Sequence, residues 1–264
     1  MSHIQKILER AERDGSIRPS ALPPMPEPAR AAAVAEPVLP LRPIDVPAPP
    51  AARVIPGRLH PSLQATRRAG SVSADQYRSL RTRIQQVAHG RSFNALLVTS
   101  PRSGEGRTHT AANLALSMTQ ELDRRVCIVD ANLRGARIRQ LFGLPDGPDL
   151  GDVLAERAGL DEALVYLEEY NIAVLPGDEA TTHSELLGSV AMRRVMQALR
   201  SRFDRIVIDG PAAAPVADIA LLTPLVDALV LVVRAGVSTK PSIQEAIVTI
   251  NSDKLLGLVL NDAQ

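Results

Sequence analysis

The residues able to do chemistry gather at three places where an apolar run stops. The first is Ser100–Thr108, SPRSGEGRT, which follows LLVTS and leads into the helical THTAANLALSM. A glycine-rich loop between a strand and a helix lets backbone N–H groups converge on phosphate oxygens, and the helix N-terminus adds its dipole. Gly104 and Gly106 allow the close approach, and Thr108 is placed to offer its hydroxyl to a phosphate-bound Mg²⁺. His109 comes next, either touching a phosphate or lying on the helix surface. The second place is CIVDANLRG, where a strand ends at Asp130 with Asn132 and Arg134 just beyond. The third is FDRIVIDGPAAAP, an apolar strand ending in Asp209, the pattern of a carboxylate that orients Mg²⁺ through its waters. Each aspartate alone fits equally a strand-end residue capping the next helix. Three such strand ends at one sheet edge point instead to a shared phosphate site.

The elements that must position these groups are near-continuous apolar strands separated by helix-length segments. They are expected at 94–100, 125–132, 171–177, 204–210, 228–233 and 255–262. Runs of this kind form a mostly parallel sheet covered on both faces, a three-layer, doubly wound α/β domain whose ligands bind at the carboxyl ends of the strands. This domain is expected over 63–264. Ahead of it, residues 1–15 read as a short amphipathic helix. Ser2 and Gln5 are set as in a capping box, Ile4, Ile7, Leu8 and Ala11 share a face, and Gly15 is the stop. Its near-cancelling charges and lack of an aromatic anchor suit a protein partner better than a membrane; folding back on its own domain is the alternative. Residues 16–62 hold all 13 prolines found before residue 62 and no sustained periodicity, the composition of a disordered linker. Such a chain spans roughly 35–40 Å when flexible.

Composition excludes several classes. Thirty basic and 29 acidic residues give a net charge of +1, which offers no support for coating nucleic acid. One cysteine rules out a disulfide scaffold or a Cys-rich metal site. The five histidines (His3, His60, His89, His109, His183) lack ligand spacing, and no Gly-X-Ser-X-Gly elbow is present. No apolar run approaches a membrane span, and the charged first 15 residues are unlike a signal peptide, so a cytoplasmic protein is expected. Only three basic residues are lysine (Lys6, Lys240, Lys254), so arginine stands where lysine is common elsewhere.

Taken together, SADQYRSLRTRI, GEGRT, AANLA, DANLR with FGL after it, VLPG, SELLGS, FDRIVIDGP and GLVLND occur in the order found in a known family. The sequence resembles the kinase domain of the bacterial tyrosine kinases of capsule and exopolysaccharide synthesis, within the deviant Walker-motif P-loop ATPases. The likeness covers about residues 70–264. The preceding helix and linker resemble the stand-alone, exosortase-associated subgroup. The resemblance implies ATP and Mg²⁺ as cofactors and a separate membrane-bound chain-length protein as partner, which would recruit the chain to the inner face of the membrane. It implies a Walker A motif from Ser100 to Thr108, with Ser103, Gly104, Glu105, Gly106, Arg107, Thr108 and His109 on the nucleotide, an acidic motif of Asp130 and Asn132 that activates the acceptor tyrosine, and a Walker B carboxylate at Asp209. Thr108, Asp130 and Asp209 would surround the metal, and Asn261 would contact adenine. Asp75, Arg78 and Arg81 match the motif for ring-like self-association, with aspartate for glutamate; as bare residues they share one helix face and equally form a solvated ion pair.

Three departures from the family pattern bear on catalysis. Arg107 occupies the position of the phosphate-binding lysine, replacing a compact ammonium with a planar fork. Asn132 replaces a second aspartate, keeping an oxygen but losing the charge that binds Mg²⁺ or takes a proton. No tyrosine follows Tyr170, so tail autophosphorylation is not expected. The primary expectation is an ATP-binding kinase-family regulator of polymer export. The alternative is a catalytically degenerate scaffold. A positioning ATPase of the partitioning type is disfavoured, because Arg102 stands at its signature lysine position.

Overall fold

A computed structural model describes residues 53–55, 58–64, 68, 70–88, 93–121, 124–177, 184–214, 218–250 and 253–262. The helix expected over 1–15, the linker up to residue 52, and His3, His89 and His183 lie outside them. The strands are β1 (Arg53–Val54), β2 (Ala95–Thr99), β3 (Val126–Asp130), β4 (Val165–Leu167), β5 (Ile172–Leu175), β6 (Arg205–Asp209), β7 (Ala228–Arg234) and β8 (Leu255–Asn261). They form one sheet in the order β1-β4-β5-β3-β6-β2-β7-β8. All pairs are parallel except β4 with β5.

The helices are α1 (Pro61–Gln64), α2 (Val72–Val87), α3 (Arg107–Met118), α4 (Ile138–Leu141), α5 (Leu150–Leu154), α6 (Leu160–Ala163), α7 (Val190–Arg202), α8 (Asp218–Leu222) and α9 (Lys240–Ile250). Successive strand side chains point to opposite faces, and here both faces are buried. Leu96, Val98, Ile128, Val207 and Val230 pack with α1 to α4, while Leu97, Val129, Ile208, Leu229 and Leu231 pack with α5 to α9. This is the expected three-layer, doubly wound architecture. The unbroken apolar runs of β2, β3, β5, β6 and β7 have that cause, since these strands have no solvent face on which polar residues would be tolerated.

Some described residues ahead of the expected domain start at residue 63 also join the sheet and the core: β1 pairs with β4, the Ile55 N–H reaches Tyr166 O at 3.2 Å, and Leu59 is buried together with Leu63. A two-residue strand among prolines leaves no period to read. The His60 N–H donates to Leu141 O at 2.8 Å, and this crossing depends on Gly143, where a Cβ would stand 2.2 Å from Arg58 O. β4 is a second element absent from the expected set, since its short apolar run in ALVYLEEYN continues directly from the helical α6 segment.

Candidate phosphate and metal site

β3, β6 and β2 are neighbours, and their register sets Asp130 beside Asp209 and Asp209 beside Val98. Adjacent strands lie about 4.8 Å apart, so the two carboxylates stand abreast next to the strand that feeds the glycine-rich loop. Both are fully buried.

The loop turns into α3 at Gly106, whose φ of 90° is left-handed and whose missing Cβ would lie 2.0 Å from the Asn261 amide nitrogen. Glycine is required there on both counts. Ser71, Asp149 and Ser189 cap α2, α5 and α7 with side-chain oxygens, but no side chain caps α3. Its first-turn N–H groups are thereby left for an anion. The loop itself is pinned. Glu105 is buried and accepts from the Arg102 N–H at 2.8 Å and from the Ser238 hydroxyl. Asn261 donates to Glu105 O at 3.1 Å, so the amide expected to meet adenine also holds the loop. Arg234 reaches Gly104 O at 3.5 Å and pairs with Asp262 at 2.7 Å. Ser103 and Gly104 are exposed at the tip. A cavity of ≈ 310 Å³ opens beside it, lined by Arg102, Ser103, Glu105, Thr239, Pro241 and Glu245 among others. Arg234 and Ser238 were not singled out from sequence. Both follow the apolar run of β7, and the strand-end rule that located Asp130 and Asp209 reaches them too.

The charged groups beneath the loop differ from one another. Arg107 is buried and turned toward Asp209, its Nε donating to Oδ1 at 3.2 Å while a terminal nitrogen donates to the Ser100 hydroxyl oxygen at 3.2 Å. Asp209 Oδ2 has no hydrogen-bond partner. Burial raises the Asp209 pKa, opposed by the Arg107 charge and by the Thr108 and Arg107 side chains beside it. Asp130 is pushed up to about 7, first by burial and then by Asp209, against the pull of the backbone N–H groups of Ile138, Asn132 and Arg137. Those N–H groups occupy both carboxylate oxygens: Asn132 on Oδ1 at 3.1 Å, Arg137 and Ile138 on Oδ2 at 2.9 and 3.0 Å. Asp130 therefore also organises the entry to α4, the capping role that the sequence leaves open. The Asn132 side chain closes its own turn by donating to Gly135 O at 2.8 Å.

Mg²⁺ fits this donor set. A buried carboxylate oxygen without a partner and the Thr108 hydroxyl beside the same carboxylate are hard oxygen donors of the kind the ion takes. No cluster of three or more His, Cys, Asp or Glu able to hold a metal occurs among the described residues. Phosphate oxygens and water would have to complete the shell, as is usual for Mg²⁺.

The remaining expected residues lie apart from this centre. Asp75 and Arg78 form an exposed pair at 2.8 Å on α2. Arg81, on the same helix, instead reaches Ser117 O at the end of α3 and Glu121 at 3.7 Å, so it joins α2 to the loop helix. His109 lies on an exposed part of α3; partial burial, then His60 and Arg137, lower its pKa, against the pull of Asp209. Among the described residues no helix is long and apolar enough to cross a membrane.

No family model matches the chain. A similar relative is the tyrosine-protein kinase YwqD of Bacillus subtilis, 32% identical over 195 residues, covering 72% of this chain and 81% of that protein. The same stretch spans about a quarter of longer relatives, 25% in one case. Among solved structures, the VpsO kinase domain superposes with a TM-score of 0.66 at 26% identity, covering 77% of this chain and 96% of that one. The septum site-determining protein MinD of Pyrococcus horikoshii, solved with Mg-ADP, shares the fold at TM-score 0.54 and 24% identity, over 64% of this chain and 70% of that one. The fold and the loop thus define a P-loop NTPase-like domain. Within that class, the chain belongs to the bacterial tyrosine kinases of capsule and exopolysaccharide biosynthesis.

Proposed function

We propose that the chain binds Mg·ATP at the carboxyl edge of the sheet and passes the γ-phosphoryl group to a tyrosine of another protein, thereby regulating exopolysaccharide synthesis or export. The observation that carries this reading is the uncapped N-terminus of α3 facing two buried carboxylates, one with an unpartnered oxygen. The N–H groups after Gly106, with Arg107, would receive the phosphates. The adenine would lie toward the ≈ 310 Å³ cavity, with Asn261 accepting from its amino group. Mg²⁺, held by Thr108 and Asp209, would supply charge neutralisation at the phosphates. Asp130, close to neutrality with its pKa of about 7, is suited to take the tyrosine hydroxyl proton as the phenolic oxygen bonds to the γ-phosphorus and ADP departs.

A degenerate, scaffolding reading has its own support. Both Asp130 oxygens already accept backbone N–H groups, Asn132 is closed on Gly135, and Arg107 faces Asp209. In either reading the partner is a membrane-bound chain-length protein, met through residues 1–15 at the end of the linker, with α2 available for self-association through Asp75 and Arg78. Residues 63–264 remain the nucleotide-binding core, extended forward to Arg53. The chain is cytoplasmic and is brought to the membrane by that partner.

The deciding experiment incubates the chain with Mg²⁺, labelled ATP and a glutamate–tyrosine copolymer. Phosphotyrosine that disappears in Asp130→Asn supports transfer. ATP binding without phosphotyrosine leaves the scaffold reading standing, and absence of ATP binding overturns the nucleotide reading. Deletion of residues 1–15 should abolish recovery of the membrane partner; undiminished recovery would sink that assignment.

A further inference from the structure

We infer that Arg107 is the resident counter-ion of the metal subsite: in the nucleotide-free chain its guanidinium neutralises Asp209 where a divalent cation otherwise would, so that Mg²⁺ enters only with a nucleotide whose phosphates draw Arg107 away. Only the last step rests on the nucleotide reading.

The ion pair is built on both sides. Arg107 and Asp209 have 7% and 0% of their side-chain surface exposed, so the 3.2 Å contact lies out of water and is little screened. Ser100 holds the far side of the guanidinium. Its hydroxyl donates to Arg102 O at 2.7 Å and accepts from Arg107 at 3.2 Å, which fixes the fork at two different nitrogens. A guanidinium has five N–H donors, and these contacts use two of them. A lysine ammonium is a point charge without this geometry.

The charge balance gives the pair its consequence. Asp130 and Asp209 are buried side by side, and Arg107 is the cation in contact with Asp209. A buried carboxylate stripped of its partner is costly, whereas the intact pair adds little net stability. Mg²⁺ arriving alone would have to displace a cation already in place and strand a buried guanidinium. Phosphate groups change this, because they give the guanidinium a second anionic partner at the mouth of α3. Metal and nucleotide are then coupled through one side chain, and each raises the affinity for the other by the same factor.

The test uses the full chain without nucleotide. Thermal unfolding is followed for wild type, Arg107→Met and Arg107→Lys with millimolar Mg²⁺ or with K⁺ at matched ionic strength. Wild type should shift by less than about 1 °C with Mg²⁺. Arg107→Met should unfold on the order of 10 °C lower and regain several degrees with Mg²⁺ but not K⁺. Adding Asp209→Asn to Arg107→Met should remove that response. As a second readout, Mn²⁺ binding by electron paramagnetic resonance should be at least about ten-fold tighter in Arg107→Lys than in wild type, because an ammonium lacks the second nitrogen that Ser100 holds and is displaced from Asp209 more readily. A wild-type Mg²⁺ shift equal to that of Arg107→Met, or Mn²⁺ affinity unchanged in Arg107→Lys, would overturn the inference even if Arg107→Met failed to fold. Since no arm contains ATP, these outcomes report on the ion pair alone, and they are the same for a chain that never binds nucleotide.

Discussion

The two ends of strand β2 treat an aspartate and an arginine in opposite ways. At the amino end, Asp227 receives the Asn94 and Ala95 N–H groups at 2.9 Å each, and both its oxygens are gripped by Arg200 at 2.7 and 2.8 Å. Burial alone would raise its pKa, but Arg200 and the two N–H groups outweigh it and the value falls. At the carboxyl end, Asp209 keeps one contact to Arg107 and one unpartnered oxygen, and its pKa rises. The first arrangement is complete and partly exposed; the second is incomplete and buried. A fold that can satisfy a carboxylate fully at one edge has left one unsatisfied at the other, which is the expected signature of a site awaiting a ligand.

Substitutions can break or sharpen this contrast. The largest effect is expected for Gly106→Ala, which puts a side chain at φ 90° and 2.0 Å from Asn261. It should cost about 3 kcal/mol of stability and abolish measurable ATP binding, read by denaturant unfolding and by titration. Asp227→Ala comes next, at about 2 kcal/mol after allowance for its exposure, or roughly 4–8 °C in Tm. ATP affinity should stay within about two-fold, since that edge holds no ligand. The contribution of Asp227 should be present above pH ~4 and fade as pH falls through its lowered folded value.

Asp130→Asn reports a pH dependence of opposite sign. With a folded pKa near 7 against 3.8 for the free group, the native chain keeps a proton that the unfolded chain has released. Its stabilising share is complete below pH ~4 and is lost as pH rises through about 7. Thermal unfolding at about pH 5 and pH 8 should therefore show wild type losing on the order of 2–3 kcal/mol more than Asp130→Asn. Arg78→Ala should change monomer stability by less than about 0.5 kcal/mol, because its pair with Asp75 is exposed. An effect in sedimentation alone would tie that pair to self-association.

Sequence reached different depths at the two edges. Five of the six long strands were legible because burial on both faces leaves apolar runs, and β8 keeps such a run although Leu258 and Leu260 are exposed. β1 and β4 were not, being two and three residues long with prolines or glutamates around them. At the carboxyl edge the residue types followed from strand ends and glycine spacing, down to Gly106, Asp130 and Asp209. Their orientation did not. That Arg107 turns under the loop to Asp209 depends on packing beneath α3, and that Asp130 is roofed by three N–H groups depends on the path of residues 132–138. At the amino edge, Asp227 carried no signal, because its partners Asn94, Ala95 and Arg200 come from distant parts of the chain.

The central claim is that the incomplete edge is a metal-assisted nucleotide site. Calorimetric titration of Mg·ATP into wild type and Asp209→Asn tests it most directly, with Asp227→Asn as the control from the complete edge. The expected result is saturable binding to wild type and Asp227→Asn, weakened by about 10- to 100-fold in Asp209→Asn. Equal affinity in wild type and Asp209→Asn, or loss of binding in Asp227→Asn alone, would contradict it.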